Sequence, residues 1–372
     1  MEITVRREDL VRDLQVIQGI VDRRGAIAIL SNTLLVASND ALTLSATDLD
    51  VSVKTACPAR VKKGGATTLP ARKLHEIIKA LPSGSDVLLK LKDDEEGFVT
   101  VQSERTNYKV ATLPKDDFPT LPESRGEQEV AIPGAVMGRL IAKTSFAITV
   151  EDARYYLGGA LLILQGDTVS MVTTDGHRLC FAREKVEGAK FKDERVLIPR
   201  KAIHELKQVT EGEESLFFSR TENHLIFRTQ RRTLTSKLVE GQFPAHEKVI
   251  AAKGPKTGQT KRVELLDALR RVSLLSTERS RAIRFTLKEG EIELHASSPD
   301  QGEAVETIGA EYSGEQVDIG FNALYLMEFL SVLTDVEVTV ELKDGDAQGI
   351  FYPTSQKDGD SMHRYVLMPM RL

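Results

Sequence analysis

Along the 372 residues the apolar positions alternate between two periods, one near 3.6 and one near 2, so helices and strands separate by pattern alone. Six stretches carry a helical stripe. The first runs from about Arg6 to Val21, with Leu10, Leu14, Ile17 and Val21 on one face. The second begins at Pro70, a residue suited to a first helical turn, and sets Leu74, Ile77, Ile78 and Leu81 on one face before Pro82 stops it. The third begins at Pro133 and is striped by Val136, Met137, Leu140 and Ile141; the fourth begins at Pro199 in VLIPRKAIHEL, which echoes TTLPARKLHEI in the second. The fifth carries Leu265, Ala268, Leu269 and Val272, and the sixth Leu326, Phe329, Leu330 and Leu333. Their first apolar anchors, Leu10, Leu74, Val136, Ile203, Leu265 and Leu326, lie 61 to 67 residues apart.

Between the helices run alternating segments: Leu42 to Val53, Val87 to Leu91 with Phe98 to Val101, Leu161 to Val172, Ser215 to Arg228 and Ile283 to Leu294. Turn signals break them at Asn39-Asp40, Gly166-Asp167, Thr221-Glu222-Asn223 and Glu289-Gly290. The pattern predicts six half-domains of one helix and about four strands, an α+β protein in which two helices cover one face of antiparallel sheets in each domain. A longer repeat groups the halves in pairs. Phe118-Pro119, Phe243-Pro244 and Met368-Pro369 recur 125 residues apart, and Asp48, Asp175 and Asp300 follow at intervals of 127 and 125. Three domains are therefore expected, at 1–122, 126–250 and 251–372. The linkers between them are expected at Pro119 to Glu127 (PTLPESRGE) and Ala251 to Thr260 (AAKGPKTGQT). Gly254 and Gly258 in the second linker lack the spacing of a phosphate-binding loop, and no apolar strand leads into them.

Composition narrows the function classes. With 41% hydrophobic and 28% charged residues and no apolar run long enough for a bilayer, the chain is expected to be globular and to have no membrane partner. MEITVRREDL does not resemble a signal peptide. Cys57 and Cys180 stand far apart with no metal-binding spacing, so a reducing cytoplasm fits, and nothing calls for a metal or cofactor. A net charge of -5 argues against a wholly basic nucleic-acid surface, and the absence of Trp against stacking on single strands. Yet five of the six helical stretches carry at least two cations: Arg6, Arg7 and Arg12; Arg72, Lys73 and Lys79; Arg139 and Lys143; Arg200, Lys201 and Lys207; Lys261, Arg262, Arg270 and Arg271. Singly these read as solvated faces. Repeated at equivalent positions they suggest a basic wall, suited to sequence-independent contact with phosphates. Six similar units can also close into a ring through contacts between unlike ends.

At TTDGHRL (Thr173 to Leu179), RYYLGG (Arg154 to Gly159), TLPKDDFP, EGQFP and the terminal MPMRL, the chain resembles the bacterial DNA polymerase III beta subunit, the replicative sliding clamp, along its whole length. The resemblance implies three clamp domains per chain and a ring-shaped head-to-tail homodimer that encircles double-stranded DNA without sequence preference. It implies a processivity factor with no catalysis of its own, whose partners are the replicative DNA polymerase, the clamp loader, repair polymerases and other clamp-motif proteins. A partner-peptide pocket is implied at Leu157, Thr174, Gly176, His177, Arg178, Leu179, Pro244, Lys248, Val249, Asn322, Tyr325, Val366, Met368, Pro369, Met370 and Arg371. There His177, Arg178 and Arg371 are expected to hydrogen-bond an extended peptide, and methionines to adapt to several ligands. DNA contacts are implied at Arg24, Tyr155 and Tyr156, and dimer contacts at Tyr108 and Val110 of an edge strand with Leu274 and Leu275. Glu151, Ser280 and Lys248 depart from common family choices.

Other readings are kept beside this one. By spacing alone Asp175-Gly176 is a turn, His177 structural, and Met368 and Met370 core residues. A hydrolase built on Asp175, His177 and a serine such as Ser170 lacks the G-x-S-x-G elbow. A peptide-binding scaffold unrelated to DNA would share the pocket and lack the ring.

Overall fold

The computed structural model describes residues 1–21, 27–91, 97–123, 128–150, 152–239, 241–277, 281–356 and 361–371, the side chains of residues 152, 153 and 155 excepted. Every predicted helix forms, and each sits in the same local order of strand, helix and three strands. The first half-domain is β1 (Glu2–Arg6), α1 (Arg7–Ile20), β2 (Asn32–Ser38), β3 (Ala41–Thr47) and β4 (Val51–Pro58), followed by a short extra strand β5 (Arg60–Lys63). The second is β6 (Gly65–Pro70), α2 (Ala71–Ala80), β7 (Asp86–Lys90), β8 (Phe98–Ser103) and β9 (Thr106–Ala111). The middle copy comprises β10 (Val130–Pro133), α3 (Gly134–Thr144), β11 (Gly159–Gly166), β12 (Thr168–Thr174) and β13 (Arg178–Lys185), then β14 (Phe191–Pro199), α4 (Arg200–Thr210), β15 (Ser215–Arg220), β16 (His224–Arg228) and β17 (Arg232–Lys237). After a short helix α5 (Glu247–Ala251), the third copy comprises β18 (Lys256–Lys261), α6 (Arg262–Val272), β19 (Ala282–Lys288), β20 (Glu291–Ser298) and β21 (Gly302–Gly309), then β22 (Val317–Asn322), α7 (Ala323–Val332), β23 (Glu337–Leu342), β24 (Gly349–Pro353) and β25 (Ser361–Leu367).

The halves are not self-contained. The leading strand of each pairs with the first strand after the helix of the other: β1 with β7 and β6 with β2, β10 with β15 and β14 with β11, β18 with β23 and β22 with β19. The chain packs as two compact units, Met1–Met137 with Lys201–Leu238, and Gly138–Arg200 with Val239–Leu372. The first holds a five-stranded sheet, β5-β1-β7-β8-β9, and an eight-stranded one, β10-β15-β16-β17-β4-β3-β2-β6; the second holds an eight-stranded sheet, β14-β11-β12-β13-β25-β24-β23-β18, and a four-stranded one, β21-β20-β19-β22. Each eight-stranded sheet is a seam between successive copies, made by β17 on β4 in one unit and β13 on β25 in the other.

Several expectations shift. Pro70, Pro133 and Pro199 end strands, and the helices begin one residue later. Leu333 follows the end of α7, although it is buried. The second expected linker is half strand: Lys256 to Thr260 belong to β18, whose inward positions are Gly258 and Thr260, so it shows no apolar alternation. Gly258 fits there because a Cβ would press on Leu287 and Tyr312. Helix α5 was not foreseen, being shorter than two turns. Of the first expected linker, residues 119–123 carry no regular structure. No helix among the described residues is long and apolar enough to cross a membrane.

Inside the first unit, α1 and α4 meet at a buried carboxyl. Glu205 of α4 is 2% exposed and lies against α1 so closely that a Cβ at Gly19 would sit 2.6 Å from its Oε1. Burial raises Glu205 to about 7, with Lys201 pulling it down and Asp48 pushing it up. Lys201 is itself held by the Ile20 carbonyl at 2.6 Å and by Asp48, and His204 Nε2 lies 3.9 Å from Glu205 Oε1. An acid whose folded pKa is raised stabilises most below its unfolded pKa, and that contribution is lost as pH rises through the folded value. Glu205→Gln should therefore flatten the stability profile between about pH 5 and pH 8, raising the free energy of unfolding at pH 8 relative to wild type by about 2 kcal/mol. Urea unfolding of both proteins across that range checks this; parallel profiles would refute it.

Candidate functional site

The second unit gathers the candidate peptide site around one turn. Between β12 and β13, Asp175 Oδ1 accepts from the backbone N–H groups of His177 at 2.9 Å and Arg178 at 3.1 Å, while Thr174 Oγ1 accepts from Gly176 N at 3.1 Å and donates to the Arg178 carbonyl at 2.5 Å. The first copy builds the same turn. Asp48 Oδ1 accepts from Asp50 and Val51, and Thr47 Oγ1 accepts from Leu49 and donates to the Val51 carbonyl. Asp175 is thus a fold residue, as its periodic spacing implied, and its carboxylate is committed to the backbone and Arg178. Gly176 has φ +88, a left-handed conformation that side chains adopt only at a cost, and a Cβ there would meet the end of the Arg154 side chain, 2.7 Å from Nη1.

Arg178 corrects an expectation. Its side chain is buried rather than extended toward a ligand. Nε donates to Asp175 Oδ2 at 3.0 Å, Nη2 to the Phe146 carbonyl at 2.8 Å and Nη1 to Glu328, and the guanidinium lies over the Tyr325 ring at 4.1 Å. Burial works against its charge, but Tyr365, Glu328 and Asp175 more than offset this and hold the pKa above the ordinary arginine value. With three of its five N–H groups engaged inside the protein, the guanidinium forms part of the cavity wall.

The adjoining wall is apolar. On β13, Leu179 stands opposite Val366 of β25, which stands opposite Ile350 of β24. These three cluster with Leu161, Val172 and Phe181, and with the half-buried Phe243 and Val249. The terminal segment then crosses the turn: Met368 N donates to the His177 carbonyl at 2.9 Å, and Met370 N to the Gly320 carbonyl at 2.8 Å. Met368 is 46% exposed, which removes it from the core, and Pro369 and Met370 are half-buried. Gly176, His177, Pro244, Lys248 and Arg371 face solvent; Leu157, Thr174, Leu179 and Val366 are buried supports. Asn322 caps α7, its Oδ1 accepting from Leu324 at 3.0 Å and Tyr325 at 3.3 Å. Sequence reasoning missed Ile350, Phe243, Arg154, Phe146 and Glu328. Of these, Arg154 and Phe243 stood inside quoted motifs, RYYLGG and EGQFP, and Glu328 stands three residues after Tyr325 on the same helix.

A cavity of about 410 Å³ opens beside this turn, lined by Arg154, His177, Arg178, Tyr325 and Glu328 among others. Nearby, Cys180 Sγ lies 3.5 Å from His363 Nε2. Burial pushes the thiol up and pulls the imidazole down to about 4, so the proton stays on sulfur and the pair is no nucleophile. Ser170, the serine of the hydrolase reading, is buried and its Oγ accepts from Arg183 Nε at 3.2 Å.

Of the DNA-facing candidates, Arg24, Glu151 and the side chain of Tyr155 lie outside the described residues, as does Ser280 at the pocket rim; Tyr156 is half-buried. The helix cations are widely ion-paired. Arg12 pairs with Asp9 at 2.9 Å, Lys73 with Glu76, Arg139 and Lys143 with Glu184 at 2.6 and 3.1 Å, Lys261 with Glu264 at 2.8 Å, Arg270 with Asp267 at 3.0 Å, and Arg271 with Glu306 at 2.5 Å. Burial favours protonation of Glu184, but Arg139 and Lys143 outweigh it and hold the carboxyl below its usual range. Of the dimer candidates, Tyr108 and Val110 lie on β9, the terminal strand of its sheet, and Leu274 and Leu275 lie in a 3-10 turn, Ser273–Leu275, with Leu274 77% exposed. Among the described residues no group of three or more His, Cys, Asp or Glu is arranged to hold a metal.

Family models of the DNA polymerase III beta subunit match the chain in sequence order: the N-terminal domain at residues 1–122, the central domain at 131–245 and the C-terminal domain at 247–371. The beta sliding clamp of Pseudomonas putida is 38% identical over 377 residues, and that of Escherichia coli K12 33% identical over 374, each covering 100% of both chains. The crystal structure of the Pseudomonas aeruginosa DNA polymerase III beta subunit superposes with a TM-score of 0.90 at 36% identity over 100% of both chains, and a griselimycin-bound sliding clamp from that organism with 0.92 at 36%. With three clamp domains in series, the chain belongs to the DNA polymerase III beta subunit family, the beta sliding clamps, which serve the replicative polymerase as processivity factors without catalysis of their own.

Proposed function

We propose that two copies of this chain close head to tail around duplex DNA and hold the replicative polymerase through the cleft at the Asp175 turn. One observation carries the ring. Six half-domains end in β4, β9, β13, β17, β21 and β25, and four of these pair at the seams, β4 with β17 and β13 with β25. The two remaining, β9 and β21, are edge strands of the five- and four-stranded sheets. Exposed edges are liabilities that proteins cover. Pairing β9 with a partner's β21 repeats the seam twice more and leaves neither edge open. The charges suit this, since β9 carries Lys109 and β21 carries Glu303 and Glu306. Val305 of β21 is 58% exposed beside them.

In this reading the domains are 1–122, 126–250 and 251–372. Tyr108, Val110, Leu274 and Leu275 form the dimer contact, Arg24, Tyr155 and Tyr156 approach DNA, and the helix cations attract phosphates weakly because acidic neighbours share them. The cleft takes an extended peptide across Val249 and the exposed Met368, backed by the buried Leu179 and Val366, with His177 and Arg371 at its rim; the griselimycin complex of the Pseudomonas aeruginosa relative supports a ligand site on this fold. Clamp loader, repair polymerases and other motif-bearing proteins share that cleft. The two cysteines are buried and unpaired, which suits the cytoplasm.

Three outcomes are expected. Protein loaded by a compatible clamp loader onto nicked circular plasmid should elute with the DNA and be lost after the plasmid is cut once; retention on linear DNA would replace topological linkage by direct binding. Leu274→Ala with Leu275→Ala should give folded monomers, since each leucine buried at the contact contributes about 2 kcal/mol; a dimer in sedimentation at nanomolar concentration would count against the contact. Deleting residues 368–372 should abolish binding of a polymerase C-terminal peptide and leave the dimer intact, and unchanged affinity in fluorescence anisotropy would remove the terminal segment from the cleft.

A further inference from the structure

The cleft has a cation at its base that no ligand needs to touch, and its principal partner comes from another copy. Arg178 leaves the middle copy at the first residue of β13 and is 7% exposed. Its Nη1 reaches Glu328, 150 residues away on α7 of the third copy. Glu328 lies three residues after Tyr325, on the same face of the helix. Between the two carboxylates, Asp175 and Glu328, the guanidinium lies over the Tyr325 ring at 4.1 Å and over the Phe146 ring at 5.4 Å. The Tyr325 carbonyl in turn accepts from the Tyr365 hydroxyl at 2.9 Å. One pair therefore spans the cleft from the turn that carries His177 to the helix that carries Tyr325. Glu328 is itself 38% exposed and faces the cavity that His177 and Tyr325 also line.

We propose that Glu328 is a positioning residue of the peptide cleft. Through Arg178 it fixes the Tyr325 ring and the Asp175–His177 turn at the separation that a peptide requires. The inference rests on the reading of this cleft as the partner-peptide site. A buried guanidinium cannot shed its charge, so its geometry follows its anions. With only Asp175 and the Phe146 carbonyl left to hold it, the guanidinium would be drawn toward the turn and away from Tyr325, and the aromatic wall would gain freedom that a ligand must then remove.

The test uses the full-length dimer and a labelled peptide from the C-terminal tail of a replicative DNA polymerase. Wild type should bind it; absence of binding would overturn the cleft reading and the latch with it. Glu328→Gln keeps the volume and removes the charge, and should weaken binding about tenfold, chiefly through faster dissociation. In an Arg178→Gln background the same substitution should cost nothing further, because the two act as one unit. A spectroscopic signature accompanies this: the slowly exchanging Arg178 Nε–H resonance of wild type should broaden in Glu328→Gln, while sedimentation still reports a dimer. Unchanged peptide affinity despite that broadening would show that the pair only stabilises the fold. Additive losses in the double variant would show that Glu328 acts by another route. Either result overturns the proposal.

Discussion

The structure depends on backbone pairing at strand edges. Each half-domain ends in a strand with one unsatisfied edge, and unpaired N–H and C=O groups on an edge invite another strand. Within the chain, two seams answer that demand, and their registers are continuous over Arg232 to Ser236 against Val51 to Thr55 and over Arg178 to Glu184 against Ser361 to Leu367. The second seam also makes the candidate site. Because β13 and β25 run antiparallel, the turn that starts β13 lies beside the segment that leaves β25, and Met368 bonds to His177 as a consequence. At the first seam the same turn is tied up differently, with Lys201 on Asp48 and Lys237 on Asp50 at 2.9 Å. One pairing rule thus yields two joints, one laced by ion pairs and one left with an apolar, solvent-reaching wall.

The helix charges fit sliding better than gripping. Cations that already face Glu184, Glu264, Asp267 or Glu306 lose part of their pull on phosphates, and exposed pairs of this kind are worth only about 0–1 kcal/mol, so they can open for a passing phosphate. Counterion release scales with the phosphates that free cations neutralise, so helix cations shared with acidic neighbours give a shallow salt dependence. Retention then comes from closure rather than affinity.

Much of this was legible in the sequence, and the failures have physical causes. Helices showed because their faces are striped by Leu, Ile and Val. The exchange of leading strands did not, since alternation fixes which face of a strand is buried and says nothing about which sheet receives it. Strand β18 was hidden because glycine and threonine occupy its inward positions. At the site, resemblance named a set of residues, of which Thr174, Gly176, His177, Arg178, Tyr325 and Met368 meet at one turn, with Arg178 held there by partners that the sequence did not announce. An arginine in a cleft reads as a donor until its carboxylates are seen, and one of them is 150 residues distant.

The turn itself separates what the fold requires from what the site adds. In the first and middle copies a threonine and an aspartate satisfy the amides that follow, so these two positions serve the turn. The next position adopts a left-handed conformation in each, φ +79 at Leu49 and +88 at Gly176. A leucine tolerates this at a cost of about 1 kcal/mol, so conformation alone does not demand glycine. At 176 a Cβ would in addition meet Arg154 Nη1 at 2.7 Å, so a side chain there would have to displace the guanidinium. That contact brings a second arginine to the cavity wall while Arg178 closes its base. What distinguishes the middle copy therefore lies at the positions after the aspartate, on a turn whose hydrogen bonds the first copy shares.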